Sequence, residues 1–156
     1  MSEHKEEEAF ETFVDIIAKL RGENGCPWDK EQTFESLKPC MVNEMTEALA
    51  GIDLYTQAGN AENLCEELGD VLMQVVLLSQ IAREKDLFDI TDVIKGISEK
   101  MIRRHPHVFG APGTEVPDWE AIKQQEKQQR SRELEQAEKA AFRAAAGQII
   151  CHLSER

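Results

Sequence analysis

Residues 44–70, EMTEALAGIDLYTQAGNAENLCEELGD, decide the fold. The stretch carries two acidic pairs of similar form, Glu44 with Glu47 and Glu67 with Asp70. Residues three apart on a helix lie on one face, so each pair presents two carboxylates side by side. If the two helices pack antiparallel, all four carboxylates converge. Hard cations such as Mg²⁺ take oxygen ligands, so this pattern predicts a divalent-cation site.

The position of Glu44 relative to the apolar stripe supports this interpretation. At helical periodicity it falls among Leu37, Met41 and Ala48. An unpaired buried carboxylate is costly, and a bound cation removes that cost. The alternative is a solvated acidic face, because 30 of the 156 residues are Asp or Glu and such pairs then arise often by chance. Gly69, between the ligand positions of the second pair, is expected to allow close approach of a neighbouring helix.

Helical periodicity extends outward in both directions, and no convincing strand pattern occurs. Thr33 is the expected N-cap of the second helix, and Pro39 is expected either to kink the helix or to restart it. The third helix is apolar nearly all round after Val71, which predicts a central position. The four predicted helices cover about Glu6–Leu20, Thr33–Gln57, Ala61–Arg83 and Thr91–Arg104.

The two remaining kinds of segment are loops and a polar tail. Gly and Pro residues mark loops at 21–29 and at 106–117, and a long polar helix is expected from Asp118 onward. We therefore predict an all-α bundle of four to five helices per chain. Residues 1–110 would form the catalytic helical domain, and residues 111–156 the loop and C-terminal helix of that domain.

Net charge, cysteine spacing and hydropathy argue against several classes of protein. The formal net charge of −12 argues against nonspecific DNA or RNA binding, which needs a positive field. None of the four cysteines forms a C-x-x-C pair, so we expect reduced thiols and a cytoplasmic location. The charged first residues and the lack of a long apolar run predict neither a signal peptide nor a membrane helix.

A basic cluster stands out in this acidic chain. Lys100, Arg103 and Arg104, followed by His105 and His107, lie at the end of the fourth predicted helix. Arginine binds phosphate oxygens bidentately, so the cluster is a candidate triphosphate site. The alternative is that these cations complement the helix macrodipole, and the two histidines serve equally well as packing or capping residues.

Trp28 lies in the first Gly- and Pro-containing loop. An aromatic residue in such a loop is either a core plug, which we favour slightly, or a platform on which a base stacks.

Five ordered segments resemble the MazG family over roughly residues 10–130. The acidic motif E-x-x-E is weak by itself, but its order relative to the other four segments is highly specific. Those four are GCPWDKEQT at 25–33, EELGD at 66–70, RRHPHVF at 103–109 and DWEAIK at 118–123, the last followed by Glu126 and Lys127.

The resemblance implies an all-α nucleoside triphosphate pyrophosphohydrolase, a homodimer or dimer of dimers, that cleaves between the α and β phosphates. It implies Mg²⁺, with Mn²⁺ as a substitute, and neither a nucleic acid nor a membrane as partner. Glu44 and Glu47 would be catalytic, with Glu47 favoured as the proton acceptor. The implied metal ligands are Glu44, Glu47, Glu67 and Asp70. The implied substrate-binding residues are Lys100, Arg103, Arg104, Lys123 and Trp28.

Two departures from the family keep an alternative open. Asn43 stands where relatives often have a further Glu, which leaves the general base in doubt, and residues 141–146 do not resemble the family's continuation. A non-catalytic nucleotide-binding or dimerisation module is therefore the second hypothesis. A ferritin-like di-iron bundle ranks low, because no His lies three residues after a Glu.

Overall fold

The computed structural model describes residues 3–128 and 131–154, and within them it contains helices and no strand. This confirms the all-α prediction. One compact unit extends to Ile90 and a second begins at Thr91. The division at 110/111 concerns parts of one catalytic domain and stays a prediction. The helices are α1 (Glu3–Arg21), α2 (Pro27–Glu31), α3 (Leu37–Ala58), α4 (Ala61–Glu84), α5 (Ile90–Arg104), α6 (Pro106–Phe109), α7 (Trp119–Gln128) and α8 (Arg132–Ser154).

The first unit is organised around the hairpin of α3 and α4. Gly59 ends α3 in the left-handed region at φ 71°, which glycine adopts without steric cost, and donates to the Tyr55 carbonyl at 2.8 Å. Asn60 caps α4 by accepting a bond from the Asn63 N–H at 3.0 Å. A two-residue connection makes consecutive helices antiparallel neighbours, which meets the condition under which the acidic pairs were expected to converge.

The buried core of this unit lies along α4. Val76, Leu77 and Ile81 are almost fully buried and pack with Ile17 of α1 and Leu37 of α3. This confirms the central position predicted for the third helix. Partly buried apolar side chains surround the cluster; they are Phe10, Phe13, Val14, Phe34, Cys40, Met73, Leu78 and Ile90.

The start of α3 differs from the prediction. Ser36 directly precedes the regular helix, which begins at Leu37, but its side chain makes no capping bond to that helix. Thr33 caps the turn before it: its hydroxyl accepts from the Ser36 N–H at 3.1 Å, and the Ser36 hydroxyl accepts from the Thr33 N–H at 2.9 Å. The capping role predicted for Thr33 is therefore present, but the regular helix begins later than predicted. Pro39 therefore falls in the first helical turn, where an N–H has no partner within the helix. Of the two alternatives for Pro39, the kink is therefore wrong and the restart agrees with the structure, because the regular helix begins two residues before the proline. The predicted loop at 21–29 also contains the start of the short helix α2.

One buried arginine ties three segments of this unit together. The Arg21 side chain, at the end of α1, is 7% exposed and forms two bonds to the Glu84 carboxylate at the end of α4, at 2.8 and 2.6 Å. Its Nη1 donates to the carbonyls of Asp29 and Gln32. The Glu84 pKa is lowered, chiefly by the hydrogen bond from Arg21. No sequence pattern had predicted this cluster.

The second unit is more helical than predicted. The expected loop at 106–117 opens with α6, and the expected single polar helix is two helices, α7 and α8, with residues 129–130 between them outside the described part. The apolar side chains of α8 are largely exposed, Phe142 by 76%. No described helix combines the length and apolarity needed to cross a membrane. All four cysteines carry free thiols.

Candidate functional site

Three of the predicted acidic residues meet on the α3–α4 hairpin. One carboxylate oxygen each from Glu44, Glu67 and Asp70 lies within 4.8 Å of the other two, and the three residues are half-buried. The hairpin brings them together because Glu44 faces α4, while Glu67 and Asp70 are three residues apart on one face of that helix. The convergence expected from the sequence is therefore present for these three carboxylates.

The Glu67 side chain is fixed by a neighbour on its own helix. Asn63 Nδ2 donates to Glu67 Oε1 at 3.0 Å, so one carboxylate oxygen is held while the other keeps its acceptor capacity. A metal-ligating carboxylate is commonly oriented by such an outer hydrogen bond.

Gly51 allows the two helices to approach closely beside this ligand. A Cβ at Gly51 would lie 3.2 Å from Asn63 Oδ1, 3.3 Å from the Leu64 Cα and 3.5 Å from the Glu67 Cγ. The sequence-based interpretation had given this role to Gly69. That interpretation is wrong for the described chain, in which a Cβ at Gly69 meets nothing within 4 Å.

Glu47 lies outside the group. It is one turn beyond Glu44 on α3, its side chain is exposed, and the cluster of mutually close oxygens among the described residues does not include it. Its roles as metal ligand and proton acceptor stay predictions. Asn43, which precedes Glu44, is half-buried and has interactions of its own.

The donor set fits a hard divalent cation. Three carboxylates at this spacing repel each other, and a cation among them converts that repulsion into coordination. All the donor atoms are oxygens, with no thiolate or imidazole among them, which matches Mg²⁺ or Mn²⁺ better than Zn²⁺. Glu44, Glu67 and Asp70 are thus the residues that would hold the metal.

The two arginines at the end of α5 are paired with an acidic residue. Arg103 and Arg104 of α5 both bind the carboxylate of Glu126 on α7. Glu126 Oε1 accepts from Arg103 Nε at 3.0 Å and Nη2 at 2.6 Å, and Oε2 accepts from Arg104 Nη2 at 2.5 Å. Hydrogen bonds from Arg104 and then Arg103 lower the pKa of Glu126 to about 2. The carboxylate is therefore ionised at neutral pH and bridges the two guanidinium groups.

The residues around this bridge have separate roles. Lys123 pairs with Glu120 at 2.9 Å on the exposed face of α7, and Lys100 is half-buried on α5. His105 Nδ1 bonds the Met101 carbonyl at 2.6 Å.

Trp119 contacts the same bridge through its ring. The His105 ring meets the Trp119 ring edge-on at 5.1 Å, and the Arg104 guanidinium lies 5.8 Å from the Trp119 ring centroid. His105 thus shows both predicted alternatives, because its ring packs on Trp119 and also caps the Met101 carbonyl in the last turn of α5. His107 lies 5.7 Å from His105, ring centroid to ring centroid.

Trp28 is on the surface. It belongs to α2, and 59% of the residue is exposed. The core-plug interpretation favoured from the sequence is therefore wrong, because a Gly- and Pro-bounded helix of five residues holds the ring outside the core. Trp28 remains a candidate for substrate contact.

Sequence reasoning missed three residues that shape these sites, namely Gly51, Asn63 and Glu126. Gly51 and Asn63 act across or along the hairpin, and their contacts depend on the exact rotation of α3 against α4. Glu126 lies 22 and 23 residues from its arginine partners. No sequence signal singles out Glu126, because several other acidic residues lie closer to the arginine pair in the chain. These closer residues include Glu99, Glu115, Asp118 and Glu120.

Comparison with known proteins agrees with the geometry. Residues 32–109 match the model of the MazG nucleotide pyrophosphohydrolase domain. A nucleoside triphosphate pyrophosphohydrolase/pyrophosphatase MazG of Thermotoga maritima is 53% identical over 76% of this chain and 45% of its own. A nucleoside triphosphate pyrophosphohydrolase of Escherichia coli K12 is 42% identical over 76% of this chain and 46% of its own. The Bacillus subtilis protein YabN is 51% identical over 76% of this chain and 24% of its own.

The chain thus spans less than half the length of these relatives. The matched domain covers half of the chain and contains all three carboxylates of the cluster. The chain belongs to the MazG nucleotide pyrophosphohydrolase family.

Proposed function

We propose that this chain hydrolyses nucleoside triphosphates, ribo- or deoxyribo-, between the α and β phosphates, giving a monophosphate and pyrophosphate, and that the reaction requires Mg²⁺. The observation that carries the proposal is the convergence of the Glu44, Glu67 and Asp70 oxygens within 4.8 Å. The names of the Thermotoga and Escherichia relatives supply the reaction class.

The main task of the three carboxylates would be to hold a divalent cation in a fixed place. When bound, a divalent cation polarises phosphate oxygens and lowers the pKa of water beside it. Glu44 and Asp70 come from facing helices, so they hold the coordination sphere from two sides. Glu67 is kept in its rotamer by Asn63. Glu47, exposed one turn from Glu44, is the proposed proton acceptor.

Substrate contacts are proposed for five residues. Arginine and lysine neutralise charge that develops on transferring phosphates, and the exposed Trp28 ring offers a surface on which a base can stack. The proposed phosphate ligands are Lys100, Arg103, Arg104 and Lys123.

Assembly as a homodimer or a dimer of dimers is proposed from the exposed apolar side chains of the hairpin. On α3, Met45, Leu49 and Ile52 follow helical spacing and are 47–60% exposed. On α4, Leu68 and Leu72 are 53% and 41% exposed. Apolar faces of this kind are typical of protein interfaces. The free cysteines support a cytoplasmic location.

The test pairs turnover with metal binding. Wild type should release pyrophosphate from triphosphates with Mg²⁺, measured as phosphate after added pyrophosphatase, and not with EDTA. Glu44→Gln and Asp70→Asn should lose nearly all turnover while keeping helical circular dichroism. Mg²⁺ should raise the melting temperature of wild type but not of these variants, because only the native trio binds the ion.

Glu66→Gln is the matched control. It removes one charge from the same helix at an exposed position beside Glu67, outside the cluster, so turnover should stay near wild type. Full activity in purified Asp70→Asn would refute the metal-site assignment. Inactivity of wild type on every triphosphate, with nucleotide binding retained, would favour the non-catalytic module that Asn43 keeps open.

A further inference from the structure

The bridge between Arg103, Arg104 and Glu126 leaves defined donors unused. Each arginine bonds Glu126 through Nε and Nη2, and the fourth bond, Arg104 Nε to Oε1, is 3.4 Å long. A guanidinium has five N–H donors in a fixed plane. Within the described part of the chain, the donors of each guanidinium outside this bridge are its two Nη1 hydrogens and one Nη2 hydrogen, and the Nη1–Nη2 edge adjoins the edge that holds the carboxylate. The bridge thus fixes which edge of each guanidinium is free.

The three side chains of the bridge differ in exposure to solvent. The side chains of Arg104 and Glu126 are 16% and 20% exposed, whereas that of Arg103 is 55% exposed. Arg104 is further confined by the Trp119 ring, 5.8 Å away. Glu126 is thus the part of α7 that binds the end of α5, and Arg103 is held at its surface.

Exchange of Glu126 for a phosphate group would be costly. A displaced carboxylate would remain largely buried next to additional negative charge, without its partners. Removing the partner of a buried charge is strongly unfavourable. Binding of phosphate to the free edges, with Glu126 kept in place, avoids that cost. The trio retains a net charge of +1 from two arginines and one glutamate, so it still attracts an anion.

We propose that Glu126 is a positioning residue for phosphate binding: it holds Arg103 and Arg104 side by side with their unused donor edges available to a triphosphate. This inference rests on the proposed phosphate-binding role of the two arginines. It opposes simple electrostatics, in which removal of a negative charge near an anion site strengthens binding. If neutralising Glu126 weakens triphosphate binding, Glu126 acts by positioning the arginines. If it strengthens triphosphate binding, Glu126 acts mainly through its negative charge.

The experiment measures affinity for a non-hydrolysable α,β-methylene nucleoside triphosphate by calorimetry with Mg²⁺, together with KM and kcat for the natural triphosphate. Glu126→Gln should weaken analogue binding and raise KM about tenfold, as expected for loss of a charge-assisted network. Its kcat should also fall, because the same arginines neutralise charge that develops during the transfer. Glu126→Asp, which keeps the charge but has a shorter reach, should fall between wild type and Glu126→Gln. Glu115→Gln removes a charge at an exposed position of the same unit and should match wild type.

The possible results distinguish the positioning role of Glu126 from the phosphate-binding role of the two arginines. If either folded Glu126 variant binds the analogue as tightly as wild type or more tightly, the positioning role is refuted. The Asp variant decides if the Gln variant fails to fold. If Arg103→Ala also binds the analogue like wild type, the phosphate-binding role of the arginines fails, and the inference fails with it. Weak binding by Arg103→Ala with unchanged binding by Glu126→Gln would refute the positioning role alone.

Discussion

Replacement of Arg21 by Met should lower the free energy of unfolding of the first unit by about 3 kcal/mol. The estimate follows from the hydrogen bonds that the Arg21 side chain makes. Methionine retains most of the aliphatic volume, so little packing is lost. The variant loses two bonds to Glu84 and the bonds to the carbonyls of Asp29 and Gln32. These bonds join the ends of α1, α2 and α4, so their loss affects three segments at once.

The magnitude comes from burial. Breaking a buried ion pair by removing one partner costs about 3–5 kcal/mol. Here Arg21 is 7% exposed but Glu84 is 35% exposed, so its carboxylate regains part of its hydration and the cost lies at the lower end.

Urea denaturation followed by circular dichroism at 222 nm measures this cost. Lys38→Met is the matched control, because Lys38 pairs with Glu35 at 2.6 Å while both side chains are more than half exposed. Exposed pairs contribute about 0–1 kcal/mol, so the control should barely shift the midpoint. A loss below about 1 kcal/mol for Arg21→Met, equal to the control, would refute the assignment of Arg21 as a buried junction.

The same variant should change the pH dependence of stability. Arg21 lowers the pKa of Glu84 in the folded state below its ordinary value of 4.5. A lowered pKa stabilises the fold fully above that ordinary value, and the stabilisation is lost as the pH falls through the folded value. The difference between wild type and Arg21→Met should therefore be largest near pH 7 and should shrink below pH 4.5. A difference independent of pH from 7 to 3 would contradict the ion pair.

Two further substitutions test the hairpin and the surface tryptophan. Gly51→Ala should be less stable than wild type or equal to it, although alanine normally gains about 1 kcal/mol over glycine in a helix, because its Cβ would press on the Leu64 backbone at 3.3 Å. Gly96→Ala, with nothing within 4 Å of its Cβ, should show that gain in full, and equal gains in urea melts would contradict the close approach. Trp28→Ala should cost less than about 1 kcal/mol of stability because the residue is 59% exposed, and it should raise KM roughly tenfold if a base stacks there, whereas Trp28→Phe should retain most of the affinity.

The fold was predictable where local signals were strong. The α3–α4 hairpin follows from apolar periodicity and from the Gly59–Asn60 break, and its bounds agree with expectation to within a few residues at three of the four ends. The start of α3 was not predictable in the same way. A threonine and a serine three residues apart both satisfy capping rules, and the choice between them depends on how Leu37 enters the core.

The candidate site was predictable in composition but not in detail. Spacing along each helix indicated that Glu44, Glu67 and Asp70 could meet if the two helices pack antiparallel, and these three do meet. The position of Glu47 outside the cluster depends on a rotation of α3 that a sequence does not specify. The pairing of Arg103 and Arg104 with Glu126 required knowledge of where α7 folds, and 20 or more residues of intervening chain leave that undetermined.

The two-residue connection between α3 and α4 makes the acidic cluster local in the chain. All three carboxylates lie within one contiguous hairpin, so their contacts have low contact order and need no distant segment to fold first. An ion bound there would tie the two helices together, and its binding energy would oppose unfolding of the hairpin directly. Metal depletion should therefore accelerate hydrogen exchange in α3 and α4 more than in α8.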